Sequence, residues 1–190
     1  MLGEGQTEFY CLPKIAGRLG HVVVHKAWIR PVSTEFDWER FFLLRVVPLV
    51  TAALLKSPDK IIIVIDREDR PQCSVELAQR GLQEIVRCCG HCLGQCSIHV
   101  VVANRTFESL LFADYAAVDS LPILRQAISH TFPNSCEGVK VIHWLNASMR
   151  PGYSYDKIRD GMTLAKTMRL SDAGVQARSR SLRKLVKELT

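Results

Sequence analysis

The feature that most constrains the fold of this 190-residue chain is a run of five β-branched residues at positions 61–65, which ends at the acidic residue Asp66. A short, wholly apolar run bounded by charge is typical of a strand buried on both faces, and such strands occur in parallel sheets. Residues 97–103 predict a second strand of this kind, and residues 21–30 predict a third. Helical patterns separate the strands, so the sequence predicts an α/β fold with a mainly parallel sheet and helices on both faces.

N-capping residues and apolar spacing indicate where the helices lie. The predicted helices cover residues 8–19 with Thr7 as the cap, 35–56 with a bend at Pro48, 75–88 after Ser74, 107–113 after Thr106, 121–129, 155–168 and 174–189. Residues 139–143 predict a short strand or an extended turn. The chain becomes more polar after Pro151, so we expect an α/β domain at 1–149 and a basic helical extension at 150–190 that packs on it.

An acidic motif, Glu4-Gly5-Gln6-Thr7-Glu8, is placed as if it followed a first strand. Only three residues precede Glu4, fewer than the roughly five or six of an average strand, so either this strand is short or the chain begins upstream. Ligands of open α/β sheets bind outside the carboxyl ends of the strands. We therefore expect Glu4, Asp66 and Glu68 to lie together there, where carboxylate oxygens suit a hard cation such as Mg²⁺ and substrates that carry phosphate.

Two further acids have alternative interpretations. Glu8 lies one helical turn after Glu4 and is either its helper or a charge that favours the N-terminus of a helix. Glu108 follows the strand at 97–103 and is either an additional ligand near the metal or, again, a helix N-terminal charge. Asp114 is interpreted as a structural residue.

The whole net charge of +6 lies in residues 150–190. A local excess of this kind suggests an anionic partner. The residues predicted to bind nucleic acid, by contacting phosphates without reading the base sequence, are Lys157, Arg178, Arg180, Arg183, Lys184 and Lys187. Two alternatives stay open: the basic helix is solvated and has no partner, or its arginines dock it onto the domain or onto a partner protein.

Several classes of protein are disfavoured by the composition. No run of about 18 apolar residues predicts a membrane span, and the short acidic start is unlike a signal peptide. The seven cysteines are an odd number and indicate thiols in a cytoplasmic protein. Cys89-x-x-Cys92 has a spacing that zinc sites use, but the whole cysteine cluster at 88–96 spans only nine residues, so loop thiols are favoured over a Zn²⁺ site.

Four motifs occur in order along nearly the whole chain. They are the Glu-Gly-x-Thr-Glu motif at 4–8, the strand that ends in Asp66-x-Glu68, the segment Phe-Glu-Ser-Leu-Leu-Phe-Ala-Asp at 107–114, and the tail segments at 155–165 and 179–186. In this combination the chain resembles the Toprim-like family catalogued as domain of unknown function 4276. That family is related to Toprim nucleases of the overcoming-lysogenization-defect type.

The resemblance implies a Toprim-like Rossmannoid fold and hydrolysis of phosphodiester bonds in DNA or RNA with Mg²⁺ or Mn²⁺. In these terms Glu4 is the general acid or base, and Asp66 and Glu68 are catalytic residues that hold the metal. Asp69 and Glu108 are further candidate ligands. The related nucleases have aspartate at the position of Glu68, so this longer side chain departs from their pattern, and Asp69 could substitute.

The resemblance also implies a biological setting, which is a bacterial defence system with an ATPase partner. A second interpretation belongs to a different class of protein. It is a non-catalytic adaptor that keeps the fold and binds nucleic acid or an ATPase subunit. The short first strand and the glutamate at position 68 favour this adaptor more than an intact motif would.

Overall fold

Four parallel strands form the sheet of this protein, in the order β2-β1-β3-β4. The computed structural model describes residues 1–30, 37–125, 134–137 and 139–190. The strands are β1 (Leu2–Gly3), β2 (Ala27–Trp28), β3 (Lys60–Asp66) and β4 (Ser97–Ala103). The predicted parallel sheet is confirmed, and the two long apolar runs of the sequence are its longest described strands.

Helices cover both faces of this sheet. Within the described residues they are α1 (Gln6–Arg18), α2 (Trp38–Phe41), α3 (Val47–Leu54), α4 (Ser74–Cys89), α5 (Glu108–Leu111), α6 (Tyr115–Asp119), α7 (Val141–Asn146), α8 (Arg159–Thr167), α9 (Ala173–Arg178) and α10 (Arg180–Leu189). A π-helical turn (Phe42–Val46) joins α2 to α3, and a 3₁₀ turn (Gly90–Cys92) follows α4. None of these helices is long and apolar enough to cross a membrane.

The alternation of side chains along β3 divides the core into two parts. Ile61, Ile63 and Ile65 pack with residues of α2, α3 and α4 on one face. Ile62 and Val64 pack on the other face with residues of α1, α5, α8 and α10. Both faces of a central parallel strand are buried in this way, which explains why the sequence of β3 is apolar without interruption. The predicted α/β class, with helices on both faces, is confirmed.

Several predicted elements differ in the structure. The N-cap of α1 is Gly5 rather than Thr7, and that of α4 is Cys73 rather than Ser74. Only Ala27–Trp28 of the predicted strand at 21–30 pairs with β1. Residues 139–143 were expected to be extended, but α7 begins at Val141, because Val141 and Leu145 bury one face at helical spacing.

Two predicted helices are not continuous helices in the structure. The predicted helix at 174–189 is two helices, because Ser179 is extended and its side chain accepts a hydrogen bond from the backbone of Leu182 at the start of α10. Residues 121–125 are not helical, since Leu124 pairs with Met149 in an antiparallel bridge. The rest of the predicted helix at 121–129, and residues 35–36 of the predicted helix at 35–56, lie outside the described residues.

The C-terminal helices belong to the same hydrophobic core as α1. Leu164 of α8 and Leu182 and Leu185 of α10 are fully buried in it. A Cβ atom on Gly161 of α8 would lie 3.2 Å from the Thr7 side chain, so α1 and α8 approach closely. Residues 150–190 therefore cover one face of the sheet directly.

Gly81 of α4 permits a close contact with the π-helical turn. An added Cβ would lie within 2.7 Å of the ring of Phe42, which is itself fully buried. We expect Gly81→Ala to lower the free energy of unfolding by about 1–3 kcal/mol, because the ring has no room to retreat. Urea denaturation measures this free energy. Gly17→Ala in α1 is the matched control: its Cβ would meet nothing within 4 Å, so its stability should stay or rise. Equal losses in both variants would contradict the packing argument.

Candidate functional site

Glu4 connects the carboxyl ends of the two central strands. It directly follows β1, and its backbone N–H donates to the carbonyl of Val64 in β3 at 3.2 Å. Its Oε2 accepts a hydrogen bond from the backbone N–H of Asp66 at 3.0 Å. The residue is only 8% exposed. The structure thus places Glu4 and Asp66 together at the sheet edge where the sequence predicts them.

Glu8 lies in the first turn of α1 and is 3% exposed. Two glycines allow it to lie so deep. A Cβ on Gly3 would overlap the Cβ of Glu8, and a Cβ on Gly5 would lie 2.6 Å from Glu8 Oε2. Gly3, at the end of β1, and Gly5, in the acidic motif, therefore permit the close approach of α1 to β1.

Glu108 is the third buried glutamate of this region. It begins α5, directly after β4 and its loop, and is 3% exposed. Its Oε1 accepts a hydrogen bond from Thr7 Oγ1 at 3.2 Å and lies 3.3 Å from Lys157 Nζ. Lys157, which the sequence assigned to nucleic-acid binding, therefore lies beside the acidic residues.

The side chain of Asp66 lies among these glutamates. It accepts a backbone hydrogen bond from Phe107, but its Oδ1 is buried and has no hydrogen-bond partner among the described residues. Burial, followed by the charges of Glu8, Glu108 and Glu4, raises the pKa of Asp66 well above its usual value. We call Glu4, Glu8, Asp66 and Glu108 the acidic cluster.

Burial also changes the ionisation of the glutamates. It raises the pKa of Glu4 to about 7, with a smaller contribution from the charge of Glu68. It raises the pKa of Glu8 to about 8, and the charges of Glu108 and Glu4 add to this shift. Acids that share a buried site cannot all ionise at low cost, so the cluster holds protons near neutral pH or requires a cation.

Glu68 and Asp69, which follow β3, differ in their surroundings. Glu68 has a positive φ of 54°, and its N–H donates to the carbonyl of Arg105 at 2.7 Å. It lies close enough to Glu4 for its charge to affect the pKa of that residue. Asp69 instead pairs with the guanidinium of Arg105 at 2.8 Å and is largely exposed. Arg105 thus holds the side chain of this candidate ligand in an ion pair.

The chemistry of the acidic cluster fits a hard cation, because its donors are carboxylate oxygens and one of them, Asp66 Oδ1, is buried without a partner in the described part of the chain. The positions of the side chains fit less well. Across residues 1–30, 37–125, 134–137 and 139–190, no group of three or more His, Cys, Asp or Glu side chains is arranged to hold a metal ion. The predicted ligands Glu4, Asp66 and Glu68 are brought near one another without closing around one point.

The cysteine cluster lies at the C-terminal end of α4 and in the segment that follows it. All seven cysteines of the chain are free thiols. Cys89 is buried and its Sγ lies 3.6 Å from Thr51 Oγ1, while Cys92 is exposed and Cys88 and Cys96 are partly buried.

Sequence reasoning underestimated two residues of the site. Thr7 was expected to cap α1, but it lies within the helix and orients Glu108. Tyr155 received no role, yet its phenol Oη is buried without a hydrogen-bond partner among the described residues. Burial and the charge of Glu108 raise the pKa of Tyr155 far above its usual value. The short separation of Glu4 and Glu8 in the sequence was the one local signal that both acids lie near the end of β1, although Glu4 precedes the N-cap of α1.

The six residues predicted to bind nucleic acid divide into three groups, and Lys157, beside Glu108, is the first. The guanidinium of Arg178 lies 4.2 Å from the centre of the Tyr115 ring, and its Nη1 donates to the carbonyl of Ala113 at 3.1 Å. Arg178 therefore docks α9 onto the domain. The remaining members lie on the exposed face of α10, and we call them the α10 basic face: Arg180, Arg183, Lys184 and Lys187.

Comparison with known proteins gives no match to this chain among family models, curated proteins or solved structures. The parallel α/β sheet and the acidic cluster at the carboxyl ends of its strands are therefore the features from which a function can be argued. Membership of the Toprim-like family stays a prediction from the sequence motifs.

Proposed function

We propose that this chain is a Mg²⁺-dependent Toprim-type nuclease that hydrolyses phosphodiester bonds in DNA or RNA. The observation that carries the proposal is the acidic cluster. Three buried glutamates and the half-buried Asp66, from three separate segments, lie together at the carboxyl ends of parallel strands, where ligands of such folds bind. Burying acids in this way destabilises a fold, and a functional site is a common reason to keep them.

Glu4, Asp66 and Glu68 would hold the Mg²⁺ or Mn²⁺, with Glu108 beside them. When bound, the metal supplies polarisation of the phosphate, neutralisation of developing charge and a more acidic bound water. Asp66 contributes the buried Oδ1 that has no protein donor among the described residues. Asp69 contributes less, because Arg105 engages it.

Residues of the chain itself supply the proton transfer. Glu4 has a pKa of about 7, so near neutral pH its carboxyl group exists in both the protonated and the ionised form. A group with a pKa near the working pH is an efficient general acid or base. The hydrogen bond from Asp66 N–H to Glu4 Oε2 fixes the orientation of this carboxyl. Thr7 and Lys157 do the same for Glu108.

Nucleic acid would be held by the α10 basic face through its phosphates. We expect Arg180→Ala with Arg183→Ala to flatten the slope of log affinity against log salt by about 1.4–1.8, because two contacts no longer release counterions. Binding should weaken similarly for all base sequences. Fluorescence anisotropy at several salt concentrations measures the slope.

Arg178→Ala separates the docking role from the binding role. Because Arg178 packs on Tyr115, this variant should lose thermal stability and keep the wild-type salt slope. An unchanged slope in the Arg180 and Arg183 double variant, with lost stability, would instead assign those arginines to docking.

The test of the nuclease proposal is a cleavage assay on a panel of single- and double-stranded DNA and RNA with Mg²⁺ or Mn²⁺. We expect metal-dependent cleavage that chelation with EDTA abolishes. Highly purified protein that cleaves no member of the panel would overturn the proposal.

Two observations favour the alternative, a non-catalytic adaptor that binds nucleic acid or an ATPase subunit. Lys157 Nζ lies 3.3 Å from Glu108 and so already neutralises one acid of the cluster, and the described acids do not surround a single metal position. The adaptor predicts nucleic-acid or protein binding with no cleavage in the same assay. A bacterial defence setting with an ATPase partner belongs equally to both proposals. A cytoplasmic location does too, and the seven free thiols support it.

A further inference from the structure

One edge of the sheet is formed by β4, whose inner side pairs with β3 along its whole length. The outer side of β4 has no neighbouring strand in the described part of the chain. Exposed edge strands usually carry lysine, proline or a bulge that prevents pairing with another chain. The sequence of β4, Ser-Ile-His-Val-Val-Val-Ala, has no lysine and no proline. This edge is therefore able to accept another strand.

Hydrogen bonds show which backbone groups of β4 face outward. Asn104 N donates to Ser181 Oγ at 3.1 Å, and Ser181 Oγ lies 3.5 Å from the carbonyl of Val102, both on the outer side. Because strand residues alternate in direction, the backbone N–H and C=O groups of Ile98 and Val100 face the same way as those of Val102. Ile98 and Val100 thus offer a ladder of backbone donors and acceptors.

The outer edge of β4 lies in a groove of about 510 Å³ between α4 and α10. The α4 wall is mainly apolar, with Val75, Ala78 and Leu82, and it also carries Ser74 and Gln79. Val75 is 67% exposed, which is unusual for a large apolar residue beside a cavity. The opposite wall carries Arg180 and Lys184 of α10.

The charge of the groove is mainly positive. Its described lining has three cations, Arg67, Arg180 and Lys184, and one carboxylate, Glu137; Lys184 also pairs with Glu188 of the same helix. The backbone N–H of Ser181 donates to Glu137 Oε1 at 2.7 Å, so this acid is already engaged. An extended chain in the groove would therefore have its acidic side chains near α10 and its apolar side chains near α4.

We propose that the groove binds an extended acidic peptide segment of a partner protein, which adds to β4 as a fifth strand. Backbone hydrogen bonds from Ile98 and Val100 supply affinity, and the two unlike walls supply specificity for a segment that alternates apolar and acidic residues. The proposal does not depend on nuclease activity.

A labelled synthetic peptide of about six residues, the length of an average strand, tests this proposal. The probe alternates valine and glutamate, and its binding to the full chain is followed by fluorescence anisotropy. We expect binding by this probe, much weaker binding when lysine replaces glutamate, and none when alternate backbone nitrogens are methylated. Absence of binding by the valine–glutamate probe at millimolar protein would overturn the proposal.

Two double variants of α10, each of which reverses two positive charges, test where the peptide binds. Arg180→Glu with Lys184→Glu, which line the groove, should weaken the peptide about tenfold or more. Arg183→Glu with Lys187→Glu reverses the same charge on the same helix outside the groove lining and should leave peptide affinity unchanged. Melting curves show that both variants fold. Equal losses of peptide affinity in the two double variants would mean that the peptide binds the α10 basic face as a whole. This result would overturn the proposal that the groove is the binding site.

Hydrogen exchange gives a readout at single residues. On binding the probe, the outward amides of Ile98 and Val100 should become protected, while the inward amides of His99 and Val101, already bonded to β3, should not change. Protection of all four, or of none, would contradict strand addition. Light scattering of the free protein tests whether a second copy of the chain binds this edge. Dimers that the probe cannot dissociate would assign the edge of β4 to that second copy instead.

Discussion

Asp66→Asn protein is expected to bind nucleic acid like the wild type and to cleave it at least roughly 10²- to 10³-fold more slowly, because an amide oxygen is a poor metal ligand. Asp66 has a buried oxygen, Oδ1, with no hydrogen-bond partner among the described residues. Its replacement also removes a negative charge from the acidic cluster, so the melting temperature should be equal to or higher than that of the wild type. Cleavage rates and melting curves on the same preparation measure both effects.

Asp59→Asn is the matched control for this variant. Asp59 precedes β3 at the opposite end of the strand and is exposed, so the same chemical change should leave cleavage intact. Cleavage that survives in Asp66→Asn protein at the wild-type rate would show that Asp66 does not hold a catalytic metal. Loss of cleavage in both variants would point to a general effect on the protein instead.

The second large effect is a loss of stability as the pH rises. The folded-state pKa values of Glu4 and Glu8, about 7 and about 8, exceed the ordinary value of 4.5. From about pH 4.5 to 8 the folded protein keeps protons that the unfolded chain has released, so the free energy of unfolding falls with pH. The contribution of Glu4 alone is roughly 3 kcal/mol, fully present below pH 4.5 and lost above its folded pKa.

Glu8→Gln isolates this effect from other titrating groups. Burial lowers the pKa of His25 and of His99, which opposes the loss of stability below pH 6.5, but both histidines are present in either protein. Acids whose pKa is lowered, such as Asp114 and Glu188, act only at lower pH. We expect Glu8→Gln to be more stable than wild type by about 4 kcal/mol at pH 8 and similar to it at pH 4.5. Urea denaturation at both pH values measures the difference.

A divalent metal provides an independent readout of the same cluster. If the acids hold Mg²⁺, millimolar Mg²⁺ should raise the melting temperature of the wild type at pH 8 much more than at pH 5, since a bound ligand stabilises the folded state. Asp66→Asn protein should respond little. A response that does not differ between the two proteins would mean that Mg²⁺ binds elsewhere.

The sequence was most informative where one local pattern decides the structure. The apolar runs of β3 and β4 mark buried parallel strands almost to the residue, and the acids that follow β3 and β1 are close to each other in the fold. Local patterns were insufficient for α7, whose β-branched residues suggest a strand. There, tertiary packing of Val141 and Leu145 selects the helix.

Contacts between distant segments explain what the sequence did not reveal about the site. The burial of Glu8 depends on how closely α1 approaches β1, which Gly3 permits. The pairing of Lys157 with Glu108 joins α5 to the segment before α8, and no local spacing indicates it. The charge of the tail indicated one continuous set of residues that bind nucleic acid. Arg178 does not belong to this set, because it packs against Tyr115.

The order of strands in the sheet has a consequence for how the chain folds. Leu2 of β1 pairs with Ile63, and Ser181 of α10 contacts Val102, so the core is closed by segments that are far apart along the chain. Such non-local contacts slow folding, because the entropy of closing long loops is lost before the contacts form. During synthesis, β4 emerges well before α10 can cover it, and its unprotected edge is then exposed to other nascent chains. Production of this protein should therefore depend on chaperones and on slow, cool expression more than its final stability would suggest.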